Sequence, residues 1–139
     1  MLFVAGRSYV DAMVALETRI TSGEHSPAMP FYLLAGFAVE LVLKSAVQIG
    51  CYDNDRTIMK LGHDLSACYS AALAAGYKPS DEAFFRLVID QLSPSHKLFQ
   101  FRYVPEVDTI RVPSAKRTLD VVQRITEELE SSLSVWEQP

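Results

Sequence analysis

FAVELVLKSAVQIG, residues 37–50, lies in the most apolar part of the chain, yet it carries two full charges, Glu40 and Lys44, four positions apart. Pro30 suits a first helical turn, where its missing N–H costs nothing, and Gly50 is a stop signal, so the spacing predicts a helix over 30–49. At about 100° per residue, Leu33, Phe37, Glu40, Lys44 and Val47 share one face. Phe31, Ala35, Ala38, Val42 and Ile49 share the opposite one. Both faces are mostly apolar, which predicts a central helix surrounded by others. An exposed Glu–Lys pair at this spacing is worth only about 0.3–0.5 kcal/mol, too little to account for charge on such a helix. A partly buried network would account for it, because buried charges persist when paired and hydrogen-bonded. Arg102, or else His63 or Tyr103, is the expected donor to Glu40; a carbonyl or Asp64 is expected for Lys44.

Residues 31–50 also have the length of a membrane span, about 20 residues. Two charges near the centre, with no aromatic belt and no basic flank, argue against insertion. The N-terminal MLFVAGRS lacks a basic leader before its apolar residues. The expected setting is therefore the cytoplasm, without a membrane partner.

Outward from the central helix, the punctuation predicts further helices. One spans residues 6–21, with Val10, Met13, Val14 and Ile20 at helical spacing and Gly23 as its cap. After the turn-rich CYDNDRTIMKLGH, with a short helical turn through Ile58 and Leu61, a helix is predicted over 64–75. Its buried stripe is Leu65, Cys68, Ala72 and Leu73, with Asp64 or His63 at its start and Gly76 at its end. In YKPSDEAFFRLVIDQLSP, Ser80 is the expected N-cap, Phe84, Leu87, Val88 and Leu92 the inward face, and Pro94 an end or a kink. VDTIRV, residues 107–112, alternates like an extended segment, but prolines at 94, 105 and 113 argue against a sheet. A last helix is expected over 114–136, with Leu119, Val122, Ile125, Leu129 and Leu133 as its stripe. The expected fold is all-α, a five-helix up-and-down bundle formed by one domain, residues 1–139.

Composition agrees with this. The chain has 139 residues, 49% hydrophobic and 22% charged, enough for one core and too apolar for a disordered segment. The formal net charge of −4 does not announce a nucleic-acid binder. Residues 77–125 carry eight bases against six acids, a slight local excess. Two cysteines do not make a disulfide framework. Cys51, His63 and Cys68 do not match a zinc-knuckle spacing and lack a fourth ligand, so no metal is expected. No Gly-rich phosphate loop and no nucleophile elbow occurs, and no cofactor is expected. Phe99, Phe101 and Tyr103 beside Lys97 and Arg102 could stack bases, although packing of a loop onto the bundle explains them as well.

Three segments in order, PFYLLAGFAVELVLKSAVQIG, LGHDLSACYSAAL and FRYVPE, resemble the HEPN superfamily. That family combines an apolar helix bearing E-x-x-x-K, a G/T-H-D-L opening the next long helix, and a later R-Y with a nearby proline. Here these positions are Glu40 and Lys44, Gly62 to Leu65, and Arg102, Tyr103 and Pro105. The resemblance covers residues 30–105 and implies a small helical bundle that dimerises through apolar helices. It further implies a stand-alone partner of a minimal nucleotidyltransferase, in a toxin–antitoxin or defence pair. A nucleotide would be bound in a polar notch formed by Glu40, Lys44, His63, Asp64, Arg102 and Tyr103.

HEPN ribonucleases use R-x(4–6)-H across a dimer, without a metal. The chemistry needs an imidazole for proton transfer and a guanidinium for charge developing on the phosphate. Arg56 and His63 have that spacing, with six residues between them in RTIMKLGH, and are the candidate catalytic pair, with Arg102 and His96 the alternative. Arg56 and His63 precede the third helix, however, whereas the nuclease motif sits on a late one. RNA turnover is thus the second expectation, behind association.

Overall fold

The computed structural model describes residues 2–24, 27–50, 54–98 and 112–136. Among them there are six helices and no strand: α1 (Leu2–Thr21), α2 (Ala28–Gly50), α3 (Asn54–Leu61), α4 (Leu65–Ala74), α5 (Glu82–Lys97) and α6 (Ala115–Trp136). The all-α class holds, with one helix more than expected. The addition is α3, where the sequence suggested a single turn. The 107–112 segment lies outside the described residues except for Val112, which is not in a helix or strand.

α2 is the axis of the molecule, and each of the other five helices packs against it. Its apolar side chains point in every direction, so only surrounding helices can remove them all from water. Phe31, Ala35, Ala38, Val39, Val42, Leu43 and Val47 are all buried. α2 alone among the described helices is long and apolar enough to cross a membrane, but 56% of its most apolar window is already covered within the protein. α1 approaches it closely at Gly6, where a Cβ would lie 2.7 Å from Val42 Cγ2. From α4 come Leu65, Cys68, Tyr69 and Ala72, and from α6 Val121, Val122, Ile125 and Leu129, all buried in the same core.

The helix ends follow local chemistry. Asp64 accepts from Ala67 N as the N-cap of α4, and Asp81 accepts from Phe84 N as that of α5. The cap of α5 is thus Asp81 rather than Ser80. α4 closes on Gly76, at φ +110°, with Gly76 N donating to Leu73 O and Tyr77 N to Ala72 O. This pairing satisfies carbonyls the last turn leaves open and needs the left-handed conformation glycine adopts freely.

α5 departs from expectation twice. Its buried stripe is Phe85, Val88, Ile89 and Leu92, while Phe84 is half-buried and Leu87 is 51% exposed. The helix also continues past Pro94 to Lys97. Proline removes one N–H from the ladder, but the helix closes beyond it, with Leu98 N donating to Pro94 O. That extra turn carries His96 into the interior.

Candidate functional site

The site begins with the carboxylate on α2. The Glu40 side chain is 5% exposed and its neighbour Lys44 11%. Lys44 Nζ lies 3.7 Å from Glu40 Oε2. The other oxygen, Oε1, faces two imidazoles: His63 Nδ1 at 2.7 Å and His96 Nε2 at 3.3 Å. An ionised carboxylate only accepts, so His63 carries its proton on Nδ1 and His96 on Nε2. Burial alone would raise the Glu40 carboxyl. Hydrogen bonds from His96 and His63 and the charge of Lys44 outweigh it and hold the carboxyl below its ordinary value. The group is therefore a buried anion at neutral pH.

Each imidazole is positioned by a different device. His63 sits in the turn between α3 and α4, after Gly62 at φ +55°, and its side chain is 40% exposed. His96 is in the last turn of α5, 1% exposed, in a slot left by Gly36 of α2. A Cβ on Gly36 would lie 2.1 Å from His96 Nδ1, so any larger residue would displace the ring. The Phe37 ring meets His96 and His63 edge to face, at centroid distances of 5.1 and 6.5 Å, and the two imidazoles are 5.9 Å apart. One ring and one missing side chain thus fix both histidines against a single oxygen.

Asp64, next to His63, serves another purpose. Besides capping α4 it accepts from Ser93 Oγ at 3.3 Å and from Lys97 Nζ at 3.4 Å. The hydrogen bond from Ala67 N and the nearby Lys97 and Ser93 hold its carboxyl below the usual range despite partial burial. Asp64 therefore ties α4 to α5 and fixes the turn that presents His63. Lys44 is paired with Glu40, where a carbonyl or Asp64 was the expected partner.

Of the sequence-level candidates, Glu40, Lys44 and His63 come together. Arg56 is exposed on α3, with no hydrogen bond or ion pair to Glu40 or His63. Arg102, Tyr103 and Pro105 lie outside the described residues, as does Cys51. Cys68 is buried, and burial pushes its thiol up to about 12, so it is not a nucleophile at neutral pH. The residue sequence reasoning missed as a partner of Glu40 is His96. The signal was present: positions 85, 88, 89, 92 and 96 continue one helical stripe, and His96 occupies its last place. The assembled donor set is Glu40, His63 and His96, whose ligand atoms all lie within 4.8 Å of one another, rather than the Cys51, His63 and Cys68 trio.

No family model, curated protein or solved structure matches this chain.

Proposed function

We propose that the protein is a stand-alone HEPN-like association module, which forms a homodimer and binds a minimal nucleotidyltransferase in a toxin–antitoxin or defence pair. The supporting observation is the meeting of Glu40 and His63 at 2.7 Å across 23 residues of sequence. The E-x-x-x-K helix and the G-H-D-L turn carry the resemblance independently, and here they build one polar centre. A nucleotide or RNA phosphate would approach that centre at its exposed His63 edge. The decisive experiment is light scattering on the purified chain, alone and mixed with a nucleotidyltransferase encoded beside it. A dimer and a stable mixed complex are expected; a monomer that forms no complex would end this reading.

A second reading, a metal-independent ribonuclease, is favoured by one feature. A half-exposed imidazole held by a buried carboxylate is what a general base requires, since the carboxylate fixes the tautomer and stabilises the protonated ring. In this reading His63 moves the proton and Arg56 meets the phosphate from the partner protomer. His63→Gln and Arg56→Ala should each abolish cleavage of single-stranded RNA in the presence of a chelator. If the wild-type protein shows no cleavage above the two variants, the ribonuclease reading fails.

A further inference from the structure

Glu40, His63 and His96 come from three different elements and converge on one point, an arrangement that salt-bridge formation alone does not require. Lys44 and the solvent-edge His63 already offer the carboxylate a cation and a hydrogen-bond donor. The fold instead keeps a glycine at position 36 to admit a second, fully buried ring. We propose that Glu40 Oε1, His63 Nδ1 and His96 Nε2 are the ligands of one divalent transition-metal ion of the zinc class, a role beyond the association reading and independent of it.

The geometry fits. A tetrahedral ion about 2.0–2.2 Å from nitrogen and oxygen donors sets those donors about 3.3–3.6 Å apart. The observed separations from Oε1 are 2.7 and 3.3 Å, and all three ligand atoms lie within 4.8 Å of one another, so small side-chain shifts bring them to that spacing. Two imidazoles and a carboxylate are the donor set of three-ligand zinc sites, which keep a further position for water or substrate. Here two of the ligands are buried, and His63 lies at the solvent edge, which supplies an entry path. On binding, each imidazole presents the lone pair of the nitrogen that now donates to Glu40 and carries its proton on the other ring nitrogen. The ion replaces two hydrogen bonds to Oε1 with one shared centre.

Lys44 decides the class of ion. Its ammonium lies beside Oε2 and already offsets the carboxylate charge. A hard ion such as magnesium or calcium needs several charged or neutral oxygens and would find one. An ion that binds neutral imidazole strongly, zinc, cobalt(II) or nickel(II), does not depend on that charge.

The test uses the full chain stripped with a chelator, then titrated with zinc against a chromophoric competitor, with cobalt(II) absorption as a report on ligand geometry. One zinc per chain is expected, with a thermal midpoint that rises with zinc concentration and no such effect of magnesium. His63→Gln, at the half-exposed position, should keep the wild-type circular dichroism and weaken zinc binding at least about tenfold. Glu40→Gln, which keeps the shape, should do the same. His25→Gln, which removes the one other histidine in the sequence, should leave binding unchanged. Zinc binding that is not saturable at one per chain, or is equally strong in folded His63→Gln, would overturn the assignment. Dimerisation and nucleotidyltransferase binding are measured separately, so failure here leaves the association reading standing.

Discussion

Two ion pairs in this protein share the same helical spacing, acid first and base four residues later. On α2, Glu40 and Lys44 are 3.7 Å apart with side chains 5% and 11% exposed; on α6, Asp120 and Arg124 are 3.6 Å apart with side chains 52% and 37% exposed. Their lengths are nearly equal and their surroundings opposite. The α6 pair lies at the surface, where both ions keep much of their solvation although Arg124 also rests over the Phe85 ring and donates to Ser80 Oγ, and such pairs contribute about 0.3–0.5 kcal/mol. The α2 pair has lost that solvation and is held by contacts from elsewhere in the fold. Local spacing creates the opportunity for a pair; burial sets what the pair means.

Truncating each acid should separate the two pairs most clearly. Glu40→Ala leaves Lys44 and the buried His96 without their acceptor and should destabilise the protein by about 3–5 kcal/mol in urea unfolding. Asp120→Ala should cost no more than about 0.5 kcal/mol. Equal losses would mean that burial is not what separates the pairs. Gly36→Ala tests whether the slot for His96 belongs to the buried network. Its new methyl group would meet the ring within 2.1 Å, so a loss of about 1–3 kcal/mol is expected, with a shifted His96 imidazole resonance. An unmoved resonance would show that the slot does not position the ring.

Titration sharpens the contrast further. Burial pushes the Cys68 thiol and, more than its charged neighbours, the Tyr69 hydroxyl up to about 12, from 9.0 and 10.0. A raised folded-state pKa gives stability that is complete below the unfolded value and is lost as pH climbs through the folded one. Stability should therefore fall between about pH 9 and 12, by at most about 1.4 kcal/mol per pH unit for each group. Cys68→Ala should make that fall shallower, beginning nearer pH 10. A wild-type profile flat to pH 11 would contradict it. The smallest effect concerns salt. The coupling between Asp120 and Arg124 in a double-mutant cycle, a few tenths of a kcal/mol, should shrink in about 1 M sodium chloride, where screening reaches only ~3 Å. Coupling between Glu40 and Lys44 should change less.

Much of the architecture was legible in the chain. α2 reads as central because no orientation leaves its apolar residues in water unless helices surround it. Asp64 and Gly76 mark the ends of α4 by chemistry that acts within a few residues. α5 was legible as a helix but not in its rotation. Phe84, Phe85, Leu87, Val88, Ile89 and Leu92 fill more than one face, so periodicity admits two inward stripes. Packing against α2 and α4 selected Phe85 and Ile89 and left Leu87 outside. His96 was hidden by the same ambiguity and by Pro94, which suggested that the helix had ended.

Sequence alone determined that this chain is helical, where α2 ends to within one residue and begins to within two, and that Glu40 needed a polar partner, because these follow from backbone periodicity, capping and the cost of burying charge. Only the tertiary structure decided that the partners are His63 and His96, that Lys44 stays with Glu40, and that Asp64 joins α4 to α5. Those contacts span up to 56 residues. They depend on how each helix is turned about its own axis, which is fixed by the shapes of its neighbours and not by its own pattern.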